Sequence, residues 1–330
     1  MNNIFLNYHI RKYPKLQKQD KIKLLYQATF GPNHLIEDFT EKKIYKNILK
    51  EIKSSKKETQ IKENYYEWIS EDYLRVNIKK ELNIKYLAHA FYSSIAASNN
   101  DLDKFKENLN YYLKDEDISN YDFKPMHHSS VYREEYHPHY CLINKSNLTS
   151  LMRIIQLDNF LKSLDKHTIT ALEGKCASGK STISKNIDDV TILHADDFFL
   201  NPSLKTKERL NEIGGNINYE AIKEVLLKIK DAWENNINKI SFDAYDCMKK
   251  AYYKKEIILK DKVLFEGVYS YHPYFNSLID KCAFVYIDDN TQLQRILLRE
   301  NSNLFINEWM PLENKYFDHF DLLSNADIII

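Results

Sequence analysis

The sequence predicts an α/β protein. A mainly helical domain is expected over residues 1–145 and a linker helix over 146–165. Residues 166–330 should form a three-layer αβα sandwich on a mostly parallel five-stranded sheet. Three observations carry this expectation. Apolar residues in the first part recur at spacings of three and four. From His167 onward, short β-branched runs alternate with helical stretches. The first of those runs leads into a glycine-bearing loop and then a helical pattern.

In chain order, Ile22, Leu25 and Tyr26, then Ile44, Ile48 and Ile52, then Tyr86, Leu87, Phe91 and Ile95 mark amphipathic helices, roughly four to six before residue 145. Residues 72–78 alternate well enough for a strand or a buried turn. Over 145–164, Leu148, Leu151, Ile154, Ile155, Phe160 and Leu161 share one side of a helix that Ser146 or Asn147 can cap. The runs 167–172, 190–193, 239–242, 263–265 and 283–287 are apolar on both faces, as parallel strands covered by helices require. Helical stretches at 180–187, 219–233 and 291–301 separate them, and 326–330 can add a last strand.

At 330 residues the chain is long enough for two cores. Its 47 Lys+Arg balance 47 Asp+Glu, which argues against a dedicated nucleic-acid binder, since such a protein needs a basic surplus to displace counterions. With 43% hydrophobic residues, 24 Tyr and 16 Phe it is too apolar for disorder. The four cysteines form no CxxC pair, the N-terminus is too polar for a secretory segment, and no run of about 18 apolar residues occurs. Reduced thiols in the cytoplasm and no membrane span are expected. Only seven basic residues are Arg, at 11, 75, 133, 153, 209, 295 and 299. Where Lys is the default cation, a retained Arg is a candidate for bidentate work that Lys cannot do.

Directly after the first run stands Gly174-Lys-Cys-Ala-Ser-Gly179-Lys180-Ser181, which fits G-x-x-x-x-G-K-[ST] at every fixed position. A loop wrapped around phosphates must aim successive backbone N–H groups inward, and it needs glycines where a Cβ would clash or φ must be positive. Lys180 supplies a point charge to the phosphates, Ser181 offers its hydroxyl to Mg²⁺, and the following helix adds its positive end. Gly174, Cys176, Ala177, Ser178, Gly179, Lys180, Ser181 and Thr182 are therefore the expected nucleotide-binding residues of a P-loop NTPase fold. Two of the chain's 6 Gly fall in this loop, which makes an accidental match a poor account. The next run ends in Asp196-Asp197-Phe198-Phe199, acids and aromatics at the end of a strand where parallel sheets hold their ligands. A carboxylate there can take a proton from an acceptor hydroxyl; two solvated acids in a surface turn are the alternative.

Together with Val263-Leu-Phe-Glu266-Gly267, these motifs resemble the uridine kinase and phosphoribulokinase family of P-loop small-molecule kinases, over roughly residues 166–330. The resemblance implies MgATP-dependent transfer of the γ-phosphoryl group to a hydroxyl of a nucleoside or similar small polyol. In it Asp196 is the general base and also stands near the metal, Glu266 belongs to the Mg²⁺ shell, and Phe199 and Asp243 line the substrate. Thr291-Gln-Leu-Gln-Arg295-Ile-Leu-Leu-Arg299 resembles the family's lid helix. At a spacing of four, Arg295 and Arg299 should share one helical face and clamp the phosphoryl group. Met248 stands where uridine kinases carry a base-reading histidine, and Asn218 falls near the acid that grips the ribose. A further lid arginine has no counterpart in 301–307. Tyr269, Tyr271 and His272 either line the acceptor pocket or pack at a helix start.

Residues 1–145 carry no motif with a transferable activity. Gln27-Ala-Thr-Phe-Gly31-Pro-Asn-His34 breaks a helix at Gly-Pro, and residues 127–140 hold four of 11 His together with Arg133 and three Tyr. An anion pocket of His127, Arg133 and His139, with His34, is one reading; a Tyr/His-rich loop packed on helices is the simpler one and is preferred. For the whole chain the expected partners are ATP, Mg²⁺ and a small hydroxylated acceptor, with room for a homo-oligomer. The competing class is an ATP-binding regulatory protein whose P-loop half gates partner binding by the helical half. A polynucleotide kinase is disfavoured by the lack of a basic stripe.

Overall fold

In the computed structural model, which describes residues 4–32, 40–54, 65–78, 82–96, 101–114, 127–247 and 249–330, apolar side chains gather into separate cores in two units, Met1–Met152 and Arg153–Ile330. The first unit contains α1 (Leu6–Lys12), α2 (Lys18–Phe30), α3 (Glu41–Ser54), β1 (Tyr66–Trp68), β2 (Tyr73–Asn77), α4 (Ile84–Ala96), α5 (Leu102–Tyr112), α6 (Ser130–Tyr136) and β3 (Tyr140–Asn144). It is mainly helical. The alternating run at 72–78 becomes β2, the fully buried centre of an antiparallel sheet in the order β1-β2-β3. The outer strands were not anticipated, because β1 has three residues and carries the buried Glu67 at its centre. α7 (Lys145–Ser163) spans the division between the units.

Beneath its apolar core the first unit encloses a polar network. His128 Nδ1 lies 2.9 Å from Asp20 Oδ1, and Ser129 donates to the same carboxylate through its N–H and its hydroxyl. Burial alone would raise the Asp20 pKa, yet these hydrogen bonds hold it at about 2; burial pushes the His128 imidazole down to about 3. The pair is therefore a neutral imidazole donating to a carboxylate. Arg75, on β2, donates to Gln27 Oε1 at 2.8 Å and stacks over Tyr140.

The second unit comprises β4 (Thr168–Glu173), α8 (Lys180–Ser184), β5 (Thr191–His194), α9 (Lys207–Asn211), α10 (Tyr219–Glu234), β6 (Lys239–Asp246), β7 (Ala251–Ile258), β8 (Lys262–Glu266), β9 (Lys281–Phe284), α11 (Asp289–Leu297), α12 (Ser302–Leu304), α13 (Met310–His319) and β10 (Ile328–Ile329). Five strands form one parallel sheet in the order β10-β9-β4-β8-β5, the sheet of a P-loop αβα fold. Its make-up differs from the sequence expectation in one strand. The 239–242 run lies outside the sheet, in a β6-β7 antiparallel hairpin, and β10 takes the fifth place. The reason is visible in the residues: Lys239-Ile-Ser-Phe-Asp-Ala alternates polar with apolar and buries one face only, whereas β4 is buried at all six positions. The chain crosses from one side of the central β4 to the other between β8 and β9. A crevice opens at the strand ends at such a reversal. None of the described helices is long and apolar enough to cross a membrane.

Candidate functional site

The loop at 174–181 leaves β4 at that crevice. Gly174 has φ +141°, and a Cβ there would sit 2.5 Å from the Val285 carbonyl oxygen, so neither the conformation nor the space admits a side chain. Ala177 adopts φ +59°, unusual for a residue with a Cβ and part of how the loop curls. Lys180 is buried, with Nζ donating to the carbonyls of Gly174 and Lys175 at 2.6 and 2.9 Å. The helix after the loop is shorter than its sequence pattern suggests: α8 has five residues. The loop's own N–H groups, more than an extended helix dipole, supply the positive field.

Two scarce arginines brace the outside of this loop. Arg295 Nη1 donates to the Ala177 carbonyl at 3.0 Å, and Arg153 Nη1 donates to that of Ser178 at 3.0 Å. From α13, the buried Glu313 accepts from Cys176 N–H at 2.8 Å, and burial raises its carboxyl above the usual range. Glu173, last in β4, accepts from Gly174 N–H, Tyr271 N–H and the Tyr316 hydroxyl, and burial lifts it to about 7.

Ser181 Oγ lies 3.3 Å from both Glu266 carboxylate oxygens, and His194 Nδ1 lies 2.7 Å from Glu266 Oε1. The hydrogen bond to Glu266 raises the His194 pKa. Gly267, at φ +144°, stands where a Cβ would lie 2.5 Å from Ala195 Cβ, so its lack of one lets the ends of β8 and β5 close up. Adjacent oxygen donors on Ser181 and Glu266, with Asp196 beyond, fit Mg²⁺, a hard ion that keeps water and phosphate oxygens in most of its shell. No larger His/Cys/Asp/Glu cluster suited to a metal occurs among the described residues. Of the two neighbouring acids, Asp197 is tied to Lys255 of β7 at 2.7 Å, while Asp196 faces the cavity. Desolvation by the cavity walls, then the Glu266 charge, raises the Asp196 pKa, although its surface area leaves it accessible from the opening.

Lys180, Ser181, Asp196, Glu266 and Glu313 line one cavity of about 510 Å³. Cys176, Ala177, Gly179 and Thr182 of the loop and its helix line it too, and Phe199, Tyr269 and Arg299 reach it as well. A π-helical turn at Phe305–Trp309 adds two aromatics, with Trp309 edge-on to Phe199 at 4.9 Å between ring centroids and Arg299 over Phe305. Gly174 and Ser178 shape the loop from behind. Tyr271 and His272 do not line the cavity: His272 stacks on Tyr219 and Tyr316, so its role is packing.

Three expected site residues lie elsewhere. Asn218 caps α10, its side chain accepting from Ala221 N–H at 3.1 Å; Asn216, two residues earlier, is the one that lines the cavity. Asp243 points outward and pairs with Lys254 at 3.0 Å, because β6 alternates its faces up to Ala244; the alternation fails at Tyr245, and Tyr245 and Asp246 reach the cavity instead. Arg295 and Arg299 do not share a helical face, since α11 ends at Leu297. Arg295 holds the loop and Arg299 alone enters the cavity. The sequence reading also missed His194, Tyr245, Trp309 and Glu313. Tyr245 breaks the alternation of its strand, being buried in the phase that turns Asp243 outward, so the local pattern does not identify it; the others are far apart in sequence and meet only in the fold.

In the first unit, His127 is exposed, Arg133 is exposed on α6, and His139 pairs with Glu51 at 2.9 Å, so no contact joins the three into an anion pocket. His128, their neighbour, is the buried histidine. His34 and Met248 lie outside the described residues.

No family model matches the chain, and no curated protein matches it. Among solved structures it is similar to a possible uridine kinase from Bacillus stearothermophilus, at 16% identity and a TM-score of 0.43, over 54% of this chain and 97% of that one. It is also similar to a candidate fructose transport system kinase from Silicibacter sp. TM1040, at 14% identity and a TM-score of 0.42, over 54% of this chain and 98% of that one.

Proposed function

We propose that the second unit is a MgATP-dependent kinase that transfers the γ-phosphoryl group to a hydroxyl of a nucleoside or similar small polyol. The observation that carries this reading is the meeting of Lys180, Ser181 and Asp196 in one walled cavity. A phosphate loop alone serves a switch or a hydrolase equally well. A carboxylate of raised pKa beside it, with aromatic walls, suits an acceptor hydroxyl.

The loop N–H groups and Lys180 hold the phosphates, and Ser181 and Glu266 would hold Mg²⁺, which supplies charge neutralisation on the phosphate oxygens. Asp196 accepts the proton as the acceptor oxygen bonds to the γ-phosphorus and the bond to the β-phosphate oxygen breaks, releasing ADP. A carboxylate whose pKa is raised is a stronger base for this step. Arg299 steadies charge on the transferring group. His194 fixes the orientation of Glu266.

ADP release measured with and without nucleosides, sugars and vitamins tests the reading. At least one acceptor should stimulate release, and Asp196→Asn should abolish that stimulation while ATP still binds. Slow acceptor-independent hydrolysis with every compound would overturn it in favour of a nucleotide-gated interaction protein.

A further inference from the structure

Among the described residues, three side-chain oxygens along the cavity wall are buried without a hydrogen bond of good geometry: Asn216 Oδ1, Tyr245 Oη and Tyr269 Oη. A buried polar atom left unpaired is costly, and a native fold that retains several in one cavity leaves them for a ligand. Asn216 and Tyr269 are 9% and 3% exposed and come from different parts of the chain, the segment before α10 and the turn after β8. They are polar neighbours: burial raises the Tyr269 pKa, and the Asn216 side chain, within hydrogen-bonding reach of the hydroxyl, tempers that rise, which leaves the Tyr269 O–H and Asn216 Oδ1 for a ligand. Tyr269 also holds a left-handed backbone, φ +71°, which a bulky residue adopts only under constraint; its ring is wedged against Tyr316 at 4.7 Å. The Glu313 charge acts on the same tyrosine.

We propose that Asn216 and Tyr269, with Glu313 behind them, form the recognition corner for the acceptor, and that this corner selects an uncharged compound presenting hydroxyl groups. The proposal rests on the kinase reading for which end of the cavity the acceptor enters. Tyr269 offers a donor, and Asn216 Oδ1 takes one from the ligand. The charges set the selection. The lining carries four carboxylates, Asp196, Asp246, Glu266 and Glu313, against Lys180 and Arg299, both of which the phosphates engage. An acceptor already carrying a phosphate or carboxylate would bring a further negative charge to a partly desolvated wall, where Asp246 and Glu313 remain after Mg²⁺ has taken Glu266 and where no side-chain cation of the lining is left to meet it.

Calorimetric titration of the full chain, loaded with Mg²⁺ and a non-hydrolysable ATP analogue, tests this with uridine and fructose as neutral probes and uridine monophosphate and fructose 6-phosphate as their anionic counterparts. One neutral probe should bind, and its phosphorylated form should bind at least roughly tenfold more weakly. Tyr269→Phe, which keeps the ring and its packing, and Asn216→Ala should each weaken the neutral probe by roughly tenfold, the worth of one buried hydrogen bond. Affinity for the ATP analogue should stay within about twofold, which also reports an intact fold. Equal binding of the phosphorylated form, wild-type affinity in both variants, or failure of both neutral probes to bind would overturn the proposal. A neutral probe that binds but releases no ADP with ATP would instead refute the kinase reading and leave the corner standing.

Discussion

Single residues decide whether the phosphate loop can form at all. Gly174→Ala would press a methyl group onto the Val285 carbonyl in a backbone conformation that L-residues avoid. It should cost on the order of 1–3 kcal/mol. The expected outcome is a lower unfolding temperature together with loss of ATP binding; unchanged nucleotide affinity would mean that the loop adjusts elsewhere. The glycine and lysine positions of this loop were legible because the chemistry fixes residue type and spacing together. Glu313 was not, as its tie to Cys176 spans 137 positions and a lone Glu in a helical pattern carries no local sign of burial. The two adjacent acids show the same limit. Sequence names both Asp196 and Asp197, and only the tie from Lys255 takes the second out of contention.

At the scale of elements, where a helix begins and ends reassigns residues between binding and scaffolding. Asn218 caps α10, so Asn218→Ala should lower stability by about 1 kcal/mol and leave the acceptor KM unchanged. A large rise in that KM at unaltered stability would return Asn218 to the substrate. The end of α11 at Leu297 separates the roles of its two arginines. Arg295→Lys removes the rigid planar group whose Nη1 is shared between the Ala177 and Ser178 carbonyls and should raise the KM for ATP several-fold. Arg299→Lys should act mainly on kcat, and equal effects from both variants would contradict the division. Helix positions were readable from 3.6-residue periodicity, but their ends were not, because a helix terminates where capping and tertiary contacts win, and periodicity reports neither. The β6 hairpin was misplaced for a different reason: short apolar runs look alike until alternation is weighed residue by residue.

Over the whole molecule, two units with separate cores should give separate responses in one full-length chain. MgATP should raise the unfolding temperature of the transition belonging to Arg153–Ile330, as a ligand that binds only the folded form must. Acid should act on the other. In the first unit His128 and His9 have folded pKa values pushed down by burial, to about 3 and about 4. Below the ordinary histidine value near 6.5, the unfolded chain takes up protons that the folded unit refuses. Stability present at pH 7 is therefore lost as pH falls from about 6.5 towards 4, by up to about 1.4 kcal/mol per pH unit for each histidine. Thermal scans between pH 7 and 4.5 check this, and an acid-insensitive first unit would refute it. By itself, the sequence determined the helical and α/β halves, the phosphate loop, the Asp196 and Glu266 strand ends and the neutral overall charge, because each is written in local spacing or composition. Only the tertiary structure decided which strand completes the sheet, which acid and which arginine face the cavity, and that Asn216, Tyr269 and Glu313 meet there. Those facts depend on burial and on contacts between residues distant in the chain, where packing overrides local pattern.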